Sequence, residues 1–253
     1  MAEPDDAWYA LVARLAQNEY ALGQRYAEWA ASAPPSDSTL TVAMMARQEW
    51  DHAHALAHLI ALPSAYYMAA DGNEQRPHAQ PIPFLRKRLQ NWADFVAVSF
   101  LFDGALSVIF ASALESSHAT FTQVAQTILH DEQAHAAYAI AWVKRLGREG
   151  GPLAQGIEAA IIRIWNETFC WFGPQEDPAA ETLYQQDVLD AMPDVLRARL
   201  LSHIGPPAQA AQLHLPLRQA PQGNAWQFNT PLPWDRWDAT TWQLESRSSK
   251  EIP

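Results

Sequence analysis

The chain of 253 residues has 28 acidic and 17 basic side chains, and its net charge of −11 argues against nucleic acid or an anionic membrane as the main partner. Hydrophobic residues make up 49% and charged residues 18%, which is typical of a globular protein and excludes a disordered chain. The single cysteine, Cys170, excludes an internal disulfide framework, and the acidic N-terminal segment lacks the order of a signal peptide, so we expect a cytoplasmic protein.

Apolar residues at helical spacing predict six long helices and no sheet. Their approximate ranges are 7–31, 38–61, 91–116, 120–145, 153–173 and 179–202. A proline-containing connection over residues 63–90 separates the second helix from the third, and it is long enough to cross from one end of a bundle to the other. Gly147 is the expected C-cap of the fourth helix.

The third predicted helix raises the question of a membrane span. Its segment from Ala93 to Leu114 is nearly long enough to cross a bilayer, and no other segment is comparable. Asp103 lies at its centre, where a charged side chain costs roughly 2.5–3.5 kcal/mol in a membrane. We therefore favour a fully buried helix of a bundle over a transmembrane helix, and we expect no membrane association.

The last part of the chain differs in composition from the rest. From Pro206 onward the chain has seven of its 18 prolines and four of its 11 tryptophans. Proline disfavours a regular helix, and tryptophan is a large apolar side chain that favours burial. We expect a helical domain over residues 1–205 and an irregular tail over residues 206–253 that packs on the bundle or on a partner subunit.

Each of the first four predicted helices has a polar insertion near its midpoint, on the apolar face that it should bury. The inserted residues are Glu19 in helix one, Glu49 and His52 in helix two, Asp103 in helix three, and Glu132 and His135 in helix four. The order repeats along the chain. Glu19 lies 30 residues before the first Glu-x-x-His pair, and Asp103 lies 29 residues before the second. Residues three apart on a helix point the same way, so both members of each pair can reach one metal ion.

Four carboxylates and two imidazoles packed together are rich in acceptors and poor in donors, so they cannot satisfy one another. Without a cation the carboxylates would also repel each other. Two divalent metal ions would neutralise about four negative charges, whereas the alternative is a set of neutralised core pairs without metal. The ordered set matches the ligands of the ferritin-like di-iron carboxylate proteins.

Three further polar groups have two interpretations each. Glu115 and His118 form another Glu-x-x-His pair, but no acid lies about 30 residues before it, so we favour a surface position. Asp131 could accept the outer N–H of His135 or could be a solvated acid. The basic segment Phe84–Leu89 could hold an anionic group such as a nucleotide phosphate, or it could only solvate the start of helix three.

Four segments resemble the catalytic-subunit family of phenylacetyl-CoA epoxidase, the multicomponent oxygenase of aerobic phenylacetate breakdown. They are ARQEWDHAHAL at residues 46–56, FLFDGALSVI at 100–109, ILHDEQAHAAYA at 128–139 and IIRIWNETFCWFGPQED at 161–177. The segment LGQRYAEWA at residues 22–30 is more similar to the non-catalytic companion subunit of that complex. The resemblance covers roughly residues 15–180. Together with the predicted helices and the composition of the tail, it gives the expected fold: all-α, a ferritin-like four-helix bundle with additional C-terminal helices and an irregular Pro- and Trp-rich tail.

The resemblance also implies a function and its partners. The expected function is that of a di-iron monooxygenase component, which binds two iron ions (or manganese), uses O₂ as co-substrate and acts on an aromatic acyl-CoA such as phenylacetyl-CoA. A separate reductase would supply electrons, and a ferritin-like companion subunit would complete a homo- or hetero-oligomer. The alternatives are a non-catalytic structural partner of such an oxygenase and, third, a ferroxidase or iron-binding protein.

The residue roles that we expect follow from this assignment. All six inserted residues would be metal ligands, and Glu49 and Glu132 would be the bridging, catalytic carboxylates because each begins a Glu-x-x-His pair. Phe100 and Leu106 lie about one helical turn on either side of Asp103, and we expect them to line the substrate pocket.

Overall fold

The computed structural model of the chain describes residues 4–34, 38–67, 80–221, 223 and 225–245. Within them the α-helices are α1 (Pro4–Ala30), α2 (Ser38–Leu59), α3 (Ser64–Tyr67), α4 (Trp92–Ser112), α5 (Ala119–Glu149), α6 (Gly151–Cys170), α7 (Pro178–Gln185) and α8 (Pro193–Ala210). The strands are β1 (Leu217–Gln219), β2 (Trp226–Phe228), β3 (Trp237–Asp238) and β4 (Gln243–Leu244), and 3₁₀-helices cover Pro83–Arg86 and Trp234–Arg236.

Four long helices form the bundle. Helix α1 packs along α2, α2 contacts α5, α5 packs along α4, and α4 contacts α1, which closes a ring of four. In α1, Leu11, Leu15 and Leu22 recur at helical spacing and are all at most 3% exposed. This apolar stripe explains why the segment is helical and why it buries one face.

Helix α4 is the central helix of the protein. It contacts α1 and α5 within the bundle and α6 and α8 on its outer side. It is also the one described helix long and apolar enough to cross a membrane, and 89% of its most apolar 18-residue window is buried inside the fold. The helix is apolar on all sides because other helices cover it on all sides, as expected for a buried bundle helix.

The predicted C-cap of the fourth helix was wrong. Helix α5 continues past Gly147 to Glu149, and Gly150, with φ of +67°, follows its last residue. Gly147 instead allows a close approach, because a Cβ at this position would lie 2.4 Å from the carbonyl oxygen of Ala211. The glycine therefore reflects contact with the end of α8, which the local sequence does not reveal.

The predicted helix over residues 179–202 is also wrong, because it is divided into α7 and α8. Pro193 opens α8, and proline is favoured in the first turn of a helix, where its missing N–H would have no intrahelical partner. The turn before it is fixed by α4, since the Asp190 N–H donates to the carbonyl of Ser112 at 2.9 Å. Helix α8 then continues through Pro206 and Pro207, past the predicted end, with the Ile204 and Pro207 face buried.

The tail contains two short antiparallel sheets, although no sheet was predicted. Strand β1 pairs with β2, and β3 pairs with β4. Strands of two or three residues are too short to give an alternating pattern in the sequence. Trp226 packs on Gly205 of α8, the Phe228 ring meets Phe169 of α6 edge-on at 4.8 Å, and the Arg14 guanidinium lies 3.0 Å from the Trp242 ring centroid. The division into two domains at residue 206 stays a prediction.

Replacing Gly205 with alanine is expected to loosen the contact between α8 and the tail. A Cβ at this position would lie 2.3 Å from Trp226 ring atoms, so the ring or the helix must shift. We expect the free energy of unfolding to fall by about 1–3 kcal/mol, measured by urea denaturation. Gly156→Ala is the control, because nothing lies within 4 Å of a Cβ there and the variant should be unchanged or slightly more stable. Equal stability of the two variants would contradict the packing.

Candidate metal centre

The six polar side chains predicted on buried faces meet at the centre of the bundle. Each is at most 3% exposed. One potential ligand atom from each residue places them in two groups, and within each group these atoms all lie within 4.8 Å of one another. The first group comprises Glu19, Glu49, His52 and Glu132, and the second comprises Glu49, Asp103, Glu132 and His135. Glu49 and Glu132 belong to both groups, so the two groups overlap through these carboxylates.

Each imidazole turns its Nδ1 atom toward carboxylates of several helices. The Nδ1 of His135 lies 3.1 Å from Glu49 Oε1, 3.3 Å from Glu132 Oε1 and 3.7 Å from Asp103 Oδ2. The Nδ1 of His52 lies 3.4 Å from Glu19 Oε2 and 3.6 Å from Glu132 Oε1. The two ring centroids are 6.4 Å apart, so the carboxylates fill the space between and around the two rings.

The cluster leaves buried polar atoms without hydrogen bonds among the described residues. These atoms are both carboxylate oxygens of Glu19 and of Glu49, one oxygen each of Asp103 and Glu132, and the Nδ1 of both histidines. A buried polar atom without a partner costs roughly 1–3 kcal/mol. Oxygen and nitrogen atoms that converge in this way fit the ligand preferences of iron and manganese. The residues therefore fit a pair of divalent metal ions, and their assignment as ligands stays a prediction.

Burial and mutual repulsion perturb the acids of this cluster. Burial, together with the charge of Glu49, raises the pKa of Glu19 well above its usual range, and burial and a neighbouring glutamate do the same to the pKa of Asp103. Burial also acts to lower the pKa of both imidazoles, but the carboxylates around them outweigh it. They raise the pKa of His52 to about 11 and that of His135 to about 12. The carboxylates of the centre thus favour positive charge, whether it is a proton on an imidazole or a bound metal ion.

The outer nitrogen of each imidazole is held from the opposite helix. The Nε2 of His52 donates to Asp131 Oδ2 at 3.2 Å, and the Nε2 of His135 donates to the amide oxygen of Gln48 at 3.0 Å. Asp131 thus lies against His52 and not against His135, because the His135 ring points its Nε2 across the bundle toward α2. Each of these partners immediately precedes a shared glutamate, Gln48 before Glu49 and Asp131 before Glu132. The arrangement is reciprocal in position but not in chemistry, since one partner is a carboxylate and the other an amide.

Two hydroxyl groups orient carboxylates of the cluster, and sequence reasoning missed both. The Tyr26 hydroxyl donates to Asp103 Oδ2 at 2.9 Å, and the Ser107 hydroxyl donates to Glu132 Oε2 at 3.3 Å. Burial, followed by the nearby charge of Asp103, raises the pKa of Tyr26 well above its usual range, so the phenol keeps its proton. For Tyr26, its position in the sequence could have indicated this role, since it lies seven residues after Glu19 on the same stripe.

The two predicted pocket residues have different positions. Phe100 lines a narrow cleft beside Asp103 and Glu132, which His203 of α8 also borders. Leu106 is fully buried in the hydrophobic core and is not one of the side chains that line this cleft. Their role in binding a substrate stays a prediction.

The third Glu-x-x-His pair, Glu115 and His118, lies outside the cluster. Glu115 is exposed, and the His118 ring stacks on Trp8 at a centroid distance of 4.3 Å. Among the described residues, the groups that could hold a metal ion include neither of them. The spacing from a preceding lone acid therefore distinguished the two Glu-x-x-His pairs of the cluster from this third pair.

Comparisons with known proteins agree on the family and the fold. The model of a family described as phenylacetic acid catabolic protein matches residues 1–230. A relative from Escherichia coli (strain K12), named as one of the subunits of 1,2-phenylacetyl-CoA epoxidase, is 23% identical over 223 residues, which is 83% of this chain and 85% of the relative. A solved structure, Protein 19 with aldehyde deformylating oxidase activity from Synechococcus, matches with a TM-score of 0.61 and 14% identity over 85% of this chain and 93% of that chain. The predicted all-α, ferritin-like fold is confirmed.

Replacing Glu19 with glutamine is expected to stabilise the chain when metal ions are removed by a chelator. Glutamine keeps the size of the side chain but removes a buried acid that lies among other acids. We expect the free energy of unfolding at pH 7 to rise by about 1–3 kcal/mol, because residues arranged for a site often cost stability. Urea denaturation of the chelated proteins measures this change.

The control for this variant is Glu28→Gln. Glu28 lies on the same helix but outside the cluster, and it pairs with Arg25 at 3.1 Å. This variant should gain no stability. A Glu19→Gln protein that is no more stable than the parent would contradict the strain that we assign to the cluster.

Proposed function

The chain belongs to the phenylacetic acid catabolic protein family, and from this premise we propose that it is a di-iron oxygenase component that uses O₂ to oxygenate an aromatic acyl-CoA such as phenylacetyl-CoA. The observation that carries the proposal is the pair of buried, overlapping carboxylate and imidazole groups. The relative that is named as an epoxidase subunit supports an oxidoreductase. The finer assignment, a monooxygenase or epoxidase, rests on the family resemblance.

The proposed ligand roles follow from which residues the two groups share. One metal ion would be held by Glu19 and His52, and the other by Asp103 and His135. Glu49 and Glu132 would bridge the two ions, since both residues belong to both groups. Bound there, two iron ions (or manganese) would supply the redox chemistry and open coordination positions that the use of O₂ requires.

The protein around the centre would position the ligands and exclude water. Tyr26 donates to one oxygen of Asp103 and Ser107 donates to one oxygen of Glu132, so both hydroxyl groups orient carboxylates of the cluster. Apolar side chains surround the cluster in the bundle core, which strengthens the electrostatic interactions within it. We assign Phe100 and Leu106 to the lining of the substrate pocket, and Phe100 lies beside Asp103 and Glu132.

The remaining parts of the proposal concern partners. We propose that a separate reductase supplies electrons and that the assembly includes a ferritin-like companion subunit, in the cytoplasm. The name of the relative, which is one part of an epoxidase with several subunits, supports a multi-subunit assembly. The segment at residues 22–30, which is more similar to a companion subunit, supports a second candidate function, a non-catalytic partner that stabilises a homologous catalytic chain.

Anaerobic titration with ferrous iron tests the proposal directly. We expect about two iron ions per chain, and we expect Glu132→Ala to lose most of the binding, because it removes a ligand common to both groups. Equilibrium dialysis followed by iron analysis measures the stoichiometry. The matched control is Glu115→Ala, which removes the glutamate of the third Glu-x-x-His pair and should bind as the parent does.

Fewer than about one iron ion per chain, or no change in Glu132→Ala, would contradict the di-iron assignment. If the protein does bind iron as expected, the iron-loaded chain supplied with a reductant and O₂ should convert phenylacetyl-CoA to an oxygenated product, which mass spectrometry detects. A chain that binds no iron but co-purifies with a second ferritin-like chain would favour the structural partner instead.

Replacing Asp131 with asparagine is expected to weaken the binding of one metal ion more than the other. Asp131 accepts from the outer nitrogen of His52, and a carboxylate in this position makes the imidazole a stronger ligand. We expect the affinity at the His52 half of the centre to fall by about 10-fold or more. Competition with a chelator under anaerobic conditions measures both affinities.

The control is Asp51→Asn, because Asp51 neighbours His52 in sequence but pairs with Arg47 at the surface. It should bind both ions as the parent does. Equal weakening at both halves, or none at either, would contradict the role of Asp131.

A further inference from the structure

A cavity of about 580 Å³ lies outside the metal centre and shares no lining residue with it. Its walls come from the segment Pro83–Gln90, from the start of α4 and from the middle of α6. The volume lies within the range of about 300–1,000 Å³ that is usual for small-molecule sites. The lining includes most of the basic segment Phe84–Leu89, so the side chains of that segment surround a defined cavity.

The lining of this cavity is basic in an acidic protein. Its positively charged side chains are Arg86, Lys87, Arg88 and Arg163, and its negatively charged side chains are Asp94 and Glu167. Four cations against two carboxylates leave a surplus of two positive charges, whereas the whole chain has a net charge of −11. A local field of this sign attracts anions.

One cation of the cavity is held rigidly by the tail. The Nε of Arg86 donates to the carbonyl of Pro81 at 2.9 Å, and its Nη2 donates to the side-chain oxygen of Gln243 in β4. The amide nitrogen of Gln243 in turn donates to the carbonyl of Gln80 at 3.0 Å. The tail thus fixes the beginning of the basic segment, and a fixed cation loses little entropy when it binds an anion.

Two other cations remain available to a ligand. Arg88 lies 3.7 Å from Glu28, but its side chain is 82% exposed, and an exposed pair of this kind is weak. Lys87 is exposed, and no ion pair joins it to a described residue. Arg163, by contrast, is paired with Asp94 at 2.5 Å. Lys87 and Arg88 are therefore the side chains that can turn toward a phosphate group.

The rest of the lining suits an apolar ring and a hydrogen-bond donor. Phe84, Val98 and Ile164 give the cavity an apolar wall, and Phe84 is held edge-on against Phe102 at 5.2 Å. Glu167 Oε2 is buried and has no hydrogen-bond partner among the residues that the structure describes. This oxygen can accept from a hydroxyl or amino group of a ligand.

We propose that this cavity binds the phosphorylated nucleotide part of a small molecule. The phosphates lie against Lys87 and Arg88, the base packs on Phe84, and a sugar hydroxyl or a base amino group donates to Glu167. The nucleotide is either free or is part of a coenzyme A thioester, and the second source rests on the proposed function. Binding itself does not require the metal centre, so the two proposals can fail separately.

Isothermal titration of the full chain with ADP, coenzyme A and inorganic pyrophosphate tests the proposal. We expect one nucleotide to bind per chain, and we expect Lys87→Ala and Arg88→Ala each to weaken the binding roughly 5- to 10-fold, because each removes a charge-assisted contact. Arg47→Ala is the matched control, since Arg47 is an exposed arginine on α2 that pairs with Asp51, and it should bind as the parent does.

The ligands distinguish the possible sources. Coenzyme A that binds more tightly than ADP and displaces it supports the thioester, whereas ADP that binds more tightly supports a free nucleotide. Pyrophosphate that binds as tightly as ADP would overturn the proposal, because the apolar wall and Glu167 would then contribute nothing. Absence of binding at millimolar concentration, or equal binding by all three variants, would overturn it as well.

Discussion

The burial of four carboxylates at one point is the constraint on which the rest of the bundle depends. A carboxylate that leaves water is costly unless a cation or a donor compensates it, and here the donors are too few. The midpoints of the four helices must therefore lie side by side, because only there can the acids share the cations and hydrogen-bond donors that compensate their burial. This requirement explains why Glu19 and Asp103 each lie about 30 residues before a Glu-x-x-His pair.

The outer elements serve the same centre from a distance. Helices α6 and α8 cover α4, which keeps its apolar surface and Asp103 away from water. The tail then lies over these helices, with Trp226 on Gly205 and Phe228 on Phe169. It also reaches Arg86 through Gln243, so the same tail that covers the bundle shapes the basic cavity. One peripheral segment thus supports two separate sites.

The sequence predicted most of the bundle and the members of the cluster, because the helical repeat is local and each polar insertion interrupts a local pattern. What it did not predict depends on contacts between distant residues. Ser112 fixes the turn before α8, and Ala211 explains Gly147, but neither relation can be read from neighbouring residues. The direction of the His135 ring has the same origin, since Gln48 on another helix decides it.

The reciprocal contacts of the two histidines have a mechanical consequence. Each outer nitrogen is bound by the residue before the shared glutamate of the other helix, so α2 and α5 are joined by two crossed links. A slip of one helix past the other by a single residue, about 1.5 Å, would lengthen both hydrogen bonds at once and move both imidazoles relative to the carboxylates. The two hydrogen bonds therefore couple the alignment of α2 with α5 to the orientation of both imidazoles, so that neither can change without the other.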